Sequence, residues 1–492
     1  MLDFEEVQKH NTKDDCWVVI HGKAYDVSKF IDEHPGGSAI ILKYAGKDAT
    51  KVFDPVHPPD TLEKYLGKEF HLGEVKMPEK TPKKEYDDDP DEPPSQEELQ
   101  RRLNIANMPD LAQIYNLNDF EFVARYTMNK IAWAYYSSGC DDEITLRENH
   151  LAFHRVFFKP KVLVDVTNVD LRTKMLGTEV ELPFYITATA LGKLGHPEGE
   201  RVLARSAGKQ GVIQMIPTLA SCSFDEIVDE SLPDQTQWFQ LYVNKDRKVC
   251  REIVEHAERR GMKGLFITVD APQLGRREKD MRSKNFEDLS HVQGDDEEAD
   301  RSQGAARAIS SFIDTALQWS DLEWFRSITK MPLVLKGVQR IDDALKADEM
   351  GIDGIVLSNH GGRQLEFSPP PLELLIELMP ILKKRGSKME VYLDGGVRRA
   401  TDVLKALCLG AKGVGIGRPF LYAMSTYGDE GVYKAIQVLR DEMIMCMRLM
   451  GATKISDLDE SMIDVRRREV VEDKLFGKVY EELESPAFKS KL

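Results

Sequence analysis

Eight short apolar runs between Phe184 and Pro419, each separated from the next by a helix-like stretch, constrain this chain more than any other feature. They read FYITATA, VIQMIPTLA, WFQLYV, GLFITVD, LVLKGV, GIVLSNHGG, EVYLDGG and GVGIGRP. Segments such as GERVLARSAGKQ, DRKVCREIVEHAERR and RATDVLKALCLG lie between them. Strand–helix alternation of this kind implies a parallel sheet built through right-handed crossovers. Eight units in roughly 250 residues match a closed (β/α)8 TIM barrel. A doubly wound open sheet has the same periodicity, so the polar residues have to discriminate. They gather at the carboxyl ends of the runs: Thr189, Thr218, Gln240 with Tyr242, Thr268 with Asp270, Lys336, His360 with Arg363, Asp394 and Arg418. Barrel enzymes assemble their sites on that rim, and the barrel is the fold expected here.

The rest of the chain divides at MPEKTPKKEYDDDPDEPPSQEE, where apolar residues nearly vanish and Pro and acidic residues dominate, as in a solvated, stiffened linker. The expected parts are a small domain over 1–76, the linker over 77–98, the barrel unit over 99–462 and a charged tail over 463–492. Residues 99–180 read as largely helical, with FVARYTMNKIAWAYYSSG closing on a Ser-Gly stop. More than sixty residues separate Asp270 from LVLKGV and include EDLSHVQGDDEEADRSQGAAR, which reads as a flap over the site or as disorder.

The small domain contains CWVVIHGKAYDVSKFIDEHPGGSAIILKYAGKDATKVFDPVHPP, in which His34 opens HPGG and His57 follows among prolines. Gly36 and Gly37 permit a tight turn into the next helix. Two histidines presented beside apolar stretches can close on a haem iron from both faces, which leaves no open position and restricts the site to electron transfer. The segment resembles the cytochrome b5 family, and the resemblance implies a small α+β fold with haem b and His34 and His57 as axial ligands.

The barrel carries AWAYYSSG, ITVDAP, LSNHGGRQL, YLDGGVRR and GIGRP. Over residues 105–450 these motifs resemble the FMN-dependent L-2-hydroxy acid dehydrogenase and oxidase family. Joined to the haem domain, the arrangement resembles the flavocytochrome b2 family. That likeness implies oxidation of L-lactate, or a similar short L-2-hydroxy acid, to pyruvate by FMN, with electrons passed singly through haem b to cytochrome c. It further implies a homotetramer in the mitochondrial intermembrane space. Such a reaction requires a base, a cation for the carboxylate and an electron sink. His360 and Arg363, three residues apart with Gly361 and Gly362 between them, supply the first two, and the planar fork of Arg suits a carboxylate. Asp270 is placed to accept a hydrogen bond from His360 and stabilise its imidazolium.

Further roles follow from the resemblance alone. Tyr135, Tyr242 and Arg277 are implied as substrate groups, with Ala190 and Leu219 bordering the substrate side chain, where a Leu favours lactate over mandelate. Tyr136 is read as a packing residue. Lys336 is implied beside the flavin N1 and C2 oxygen; Gln240, Thr268 and the backbone of Ala188, Thr189 and Ala190 are implied along the ring. The phosphate is expected in the loops after the last two strands, with Asp394, Gly395, Gly396, Arg398, Gly417 and Arg418. The chain departs from the family pattern at Pro217, where a Ser is usual, so Thr218 or water is left to serve the flavin there.

Composition removes other classes. With 67 Lys+Arg against 83 Asp+Glu the formal charge is -16, which argues against nucleic-acid binding and suits a soluble protein able to attract a basic partner. Cys16, Cys140, Cys222, Cys250, Cys408 and Cys446 show neither a disulfide framework nor metal spacing. No apolar run reaches the ~18 residues of a membrane span. The opening MLDFEEVQKHN lacks the character of a transit or signal peptide, so the chain reads as a mature form or as cytosolic. Two rival functions remain: an FMN oxidase of the same fold reducing O2, and a haem-carrying redox or binding protein with an inactive barrel.

Overall fold

In a computed structural model of the chain the described residues are 2–31, 34, 38–54, 57, 61–62, 66–67, 70–77, 95–283 and 313–466. The N-terminal part builds a four-stranded sheet from β1 (Leu2–Asp3), β2 (Trp17–Ile20), β3 (Lys23–Asp26) and β4 (His71–Lys76), in the order β1-β4-β3-β2. A two-residue turn joins β2 to β3; His21 and Gly22 both have positive φ, 49° and 73°, the twist that a tight hairpin needs. Ile20, Tyr25, Ile31, Phe53, Leu62 and Leu66 form the core of this part, with Phe30 and Phe70 packed against it.

The barrel closes. Its strands are β8 (Phe184–Ile186), β9 (Ile213–Pro217), β10 (Gln237–Leu241), β11 (Leu265–Thr268), β12 (Leu333–Val338), β13 (Gly354–Leu357), β14 (Glu390–Asp394) and β15 (Gly413–Ile416). All pairs are parallel, and β15 returns to pair with β8, which excludes the open sheet. Both faces of these strands are covered, so they read as unbroken apolar runs rather than as alternating ones. Tyr185, Met215, Trp238, Phe266, Val334, Val356 and Tyr392 fill the interior. The helices bury one stripe each against the outside. In Arg247–Arg259 the buried residues Cys250, Val254 and Ala257 recur at helical spacing. Burying each large side chain in such a stripe contributes roughly 1.5–3 kcal/mol, so a charge at Val254 would undo its packing.

Three boundaries differ from the sequence reading. The linker ends earlier, because Ser95 accepts a hydrogen bond from Glu98 N (3.1 Å) and caps a helix over Gln96–Ala106; SQEE is a helix start rather than spacer. Within residues 99–180, helix is confined to the part up to His154. Beyond it come β5 (Val156–Phe158), β6 (Thr173–Met175) and β7 (Thr178–Val180), in a stretch rich in β-branched residues and interrupted by Pro160. The tail begins later, because β16 (Ile463–Val465) pairs antiparallel with β5. Residues 467–492, the acidic stretch after Asp270, and Gly36 with Gly37 lie outside the described residues. All six cysteines are free thiols. No helix among the described residues is long and apolar enough to cross a membrane.

Candidate active site

The loop that follows β13 carries three consecutive residues in the left-handed region: His360 (φ 59°), Gly361 (63°) and Gly362 (75°). A non-glycine residue there costs about 1–2 kcal/mol and persists only when its neighbours over-determine it. They do so here. His360 N donates to Ser358 Oγ (3.0 Å) and Gly362 N to Asn359 Oδ1 (3.0 Å). The buried amides of Asn149 and Asn359 bond each other in both directions at 2.7 Å. The turn aims the His360 ring so that Nδ1 lies 3.2 Å from Asp270 Oδ1 and Nε2 lies 3.2 Å from the Tyr242 hydroxyl.

Asp270, whose side chain has no solvent exposure, sits beside Gly337, where a Cβ would stand 2.5 Å from the Asp270 carboxyl carbon. A carboxylate only accepts, so Nδ1 is the nitrogen that donates to Asp270, and in the neutral imidazole Nε2 is left as the acceptor. Burial, then the Asp270 charge and Tyr135, hold the Tyr242 phenol well above its ordinary range, so it remains a donor.

Two cations face the same space. The guanidinium of Arg363 lies 4.8 Å, and that of Arg277 5.4 Å, from the Tyr135 ring centroid. Burial and the Arg277 charge push Arg363 down to about 9, with Tyr135 and Asp280 opposing them. Arg277 is 6% exposed and its Nε has no hydrogen-bond partner among the described residues. Cations crowded into a buried space call for an anion, and a planar fork favours a carboxylate.

A third group lies deeper. Lys336 Nζ is 3.0 Å from Asp394 Oδ2. Burial pulls its ammonium down, but the charges of Asp394 and Asp270 outweigh it, so Lys336 is a buried cation. Gln240 Nε2 donates to Thr268 Oγ1 (2.8 Å), and Ser358 Oγ donates to Asp394 Oδ1.

One cavity of about 1100 Å³, counted with its open mouth, unites these groups. Tyr135, Ala188, Thr189, Ala190, Leu219, Gln240, Tyr242, Thr268, Arg277, Lys336, His360, Arg363, Asp394, Gly395, Gly396, Arg398, Gly417 and Arg418 line it. Asp270 stands behind His360. Thr218 is the exception among the expected residues. Its hydroxyl donates to Gln240 O (2.6 Å) and accepts from Tyr242 N (3.0 Å), and its N–H goes to Gln240 Oε1 (3.2 Å). The groups that were to replace those missing at Pro217 are therefore committed to the neighbouring strand. Tyr136 packs as expected, 1% exposed with its hydroxyl on Leu191 O (2.7 Å), while one edge reaches the cavity.

Thr187, Leu274, Gln364, Val397 and Leu421 also line the space and were not singled out from the sequence. Gln364 had a signal in LSNHGGRQL; it ties the two rim loops together, donating to Asp270 O (2.7 Å) and Gln273 O (3.0 Å) and accepting from Gly275 N (3.1 Å).

The residues present fit FMN. At Gly396 a Cβ would stand 2.2 Å from Asn149 O, so the backbone there is bare of side chain where it borders the cavity. Arg418 spends three of its five N–H donors on the carbonyls of Tyr136 (2.8 Å), Gly361 (2.9 Å) and Ser138 (2.9 Å). Two remain for an anion. Arg398, 3.2 Å from Glu121 at its Nε, adds a second positive group.

The residues of the small domain fit haem. The ring centroids of His34 and His57 are 6.1 Å apart, and two imidazoles that each hold a shared metal at about 2 Å stand about 6 Å apart. His57 Nδ1 donates to Phe53 O (3.1 Å), which leaves Nε2 as the ligating nitrogen. Burial, ahead of every other influence, pushes His57 down to about 4 and keeps the imidazole neutral. Among the described residues no group of three or more His, Cys, Asp or Glu is placed to hold a metal ion.

Comparison with known proteins agrees with both parts. Residues 124–465 match the model of the FMN-dependent dehydrogenase family, and residues 3–76 that of the cytochrome b5-like heme/steroid binding domain. The chain is 57% identical to an L-lactate dehydrogenase (cytochrome) of Wickerhamomyces anomalus, covering 99% of this chain and 84% of the relative. It is 52% identical to one of Saccharomyces cerevisiae, over 97% and 82%. Among solved structures, a flavocytochrome b2 mutant with pyruvate bound shares 52% identity and superposes with TM-score 0.71 over 81% of this chain and 100% of that one. The flavin-binding domain of baker's yeast flavocytochrome b2 gives 53% and 0.70 over 78% and 97%. With both domain models matched and 99% of the chain aligned to a relative at 57% identity, the chain belongs to the FMN-dependent dehydrogenase family, carrying a cytochrome b5-like domain ahead of its barrel.

Proposed function

We propose that the chain oxidises L-lactate to pyruvate and hands the electrons, one at a time, through its haem domain to cytochrome c. The observation that carries this is the placement of a base, His360 Nε2, and a pair of cations, half-buried Arg363 and buried Arg277, in one cavity. When bound, FMN would supply a two-electron acceptor for the substrate and haem b a one-electron carrier. Lys336, Gln240, Thr268, Asp394 and the backbone of Ala188 to Ala190 are the residues that would hold the flavin ring and chain; Gly395, Gly396, Gly417, Arg398 and Arg418 would hold its phosphate.

The protein's own groups do the rest. Arg363 and Arg277, steadied by Tyr135, grip the substrate carboxylate. Tyr242 donates to the substrate hydroxyl oxygen. His360 Nε2 receives a substrate proton, and Asp270 stabilises the imidazolium through Nδ1. Lys336, held charged by Asp394, would place positive charge beside a bound flavin, which would favour its reduction.

Cytochrome c is the acceptor best matched to a chain of net charge -16, because opposite charge steers a basic partner. Homotetramer assembly and residence in the mitochondrial intermembrane space complete the proposal; size-exclusion chromatography with light scattering and cell fractionation test them.

An anaerobic absorption spectrum recorded before and after adding L-lactate decides the main reading. Reduction of both flavin and haem bands, and then of added cytochrome c, is the expected result; haem and flavin that stay oxidised would sink the proposal. Reduction of O2 in preference to cytochrome c would assign the chain to the oxidases.

Two further outcomes follow from the cavity. Arg363→Lys keeps the charge but loses the fork, and kcat/KM for lactate is expected to fall by about 100-fold, the scale of a hydrogen bond lost to a charged group, with the flavin spectrum unchanged. Leu219 on the cavity wall crowds an aromatic ring more than a methyl group, so kcat/KM for L-lactate should exceed that for L-mandelate by at least ~10-fold. Steady-state kinetics with the two acids test this, and a higher value for mandelate would overturn it.

A further inference from the structure

Glu200 opens the helix Glu200–Lys209, is 0% exposed, and does not line the cavity. A wholly buried carboxyl group needs partners, and no Lys or Arg pairs with it among the described residues. Its partners are backbone N–H groups and one hydroxyl. Oε1 accepts from Gly192 N (2.7 Å) and Ser221 N (3.0 Å), and Oε2 from Cys222 N (3.2 Å). The hydroxyl of Ser221 donates to Oε1 as well (3.4 Å) while accepting from Lys193 N (2.9 Å). One side chain thus clasps two loops, the one that leaves β8 and the one that leaves β9.

Those loops carry two walls of the cavity, Ala190 and Leu219. Between Ala190 and the first clasped N–H lies Leu191, a non-glycine residue at φ 60°. Such a conformation holds only where it is over-determined. Three contacts do this: Gly192 N on Glu200, Leu191 N on Leu219 O (3.3 Å), and the Tyr136 hydroxyl on Leu191 O. The fit at Glu200 is tight, since a Cβ on Gly192 would stand 2.9 Å from the Glu200 carboxyl carbon. The loops that carry Ala190 and Leu219 are thus tied together by a group that does not line the cavity.

We propose that Glu200 is a positioning residue for substrate selection, clamping the β8 and β9 loops so that the cavity wall admits a methyl side chain and resists longer ones. The proposal rests on the 2-hydroxy acid reading of the cavity. Glu200→Gln keeps the shape of the side chain but turns an NH2 group against backbone N–H donors, which opens the clasp.

The test compares L-lactate with L-2-hydroxyhexanoate by anaerobic flavin reduction, and pyruvate with 2-oxohexanoate by equilibrium perturbation of the flavin absorbance. In Glu200→Gln the lactate-to-hydroxyhexanoate ratio of kcat/KM is expected to fall about 10-fold, the scale of discrimination that a pocket wall provides. The oxo-acid binding ratio should move in the same direction, while FMN content and the limiting rate of reduction by lactate stay near those of the unaltered protein. Ser221→Ala removes one arm of the clasp and should shift both ratios the same way by about 3-fold.

A substrate ratio does not depend on the fraction of folded enzyme, so a merely structural role would lower Tm and leave it in place. Unchanged ratios in both variants overturn the proposal. If Glu200→Gln does not fold, unchanged ratios in Ser221→Ala do so alone. Failure of L-lactate to reduce the unaltered protein would instead overturn the reading of the cavity itself.

Discussion

His360→Gln is expected to abolish reduction of the flavin by L-lactate while leaving both cofactors bound. A glutamine amide can still meet the Tyr242 hydroxyl, which lies 3.2 Å from Nε2 in the unaltered site, but it cannot take up a proton at that position. A positioned base contributes about 100- to 10,000-fold, so the rate of flavin reduction should drop by about that factor. The loop should survive, because its fixings are the Ser358 hydroxyl and the Asn149–Asn359 pair rather than the ring. Stopped-flow absorbance under anaerobic conditions measures the rate, and the flavin band of the resting protein reports occupancy. A variant that reduces its flavin at the unaltered rate would remove His360 from the role of base.

His57→Ala has the complementary effect. The change deletes one of two rings whose centroids stand 6.1 Å apart, and the Soret band should be lost or strongly diminished. Flavin reduction by lactate should continue within about 2-fold of the unaltered rate, because His57 belongs to a part of the chain with its own core and its own family match, over residues 3–76. Cytochrome c reduction, which needs the haem, should fall to the background given by direct flavin transfer. Retained haem with normal cytochrome c reduction would show that His57 is not a ligand. Taken together, the two variants separate the chemical step from the relay.

Much of this was legible because the chemistry sits where a barrel must put it. Parallel strands buried on both faces leave a trace of unbroken apolar runs, and polar residues at their carboxyl ends have a rim to occupy. Lys336, His360, Arg363 and Asp394 were found that way. At Thr218, where the expectation was that it or water would serve the flavin, the hydroxyl bonds the next strand, because a strand-end hydroxyl looks the same in sequence whether it faces the cavity or the backbone at Gln240 and Tyr242. Gln364 and Thr187 were passed over for a related reason: their roles lie in contacts with distant loops and strands, with Gln273 and Gly275 for one and Asp394 for the other. The helix boundary at Ser95 was hidden by composition, since an acidic spacer and an acidic first helical turn use the same residues.

By itself the amino-acid order determined the two-part organisation, the eightfold strand–helix alternation and the residue types of the site, since periodicity, turn residues and motif spacing are local properties carried along the chain. The tertiary structure alone decided which polar groups share one cavity. His360 meets Asp270 across 90 positions, and Arg277 joins Arg363 around the Tyr135 ring. Glu200 ties together loops whose functional residues it never touches. Contacts of this kind depend on barrel closure and on left-handed turns held by remote partners, and local sequence has no means of expressing either.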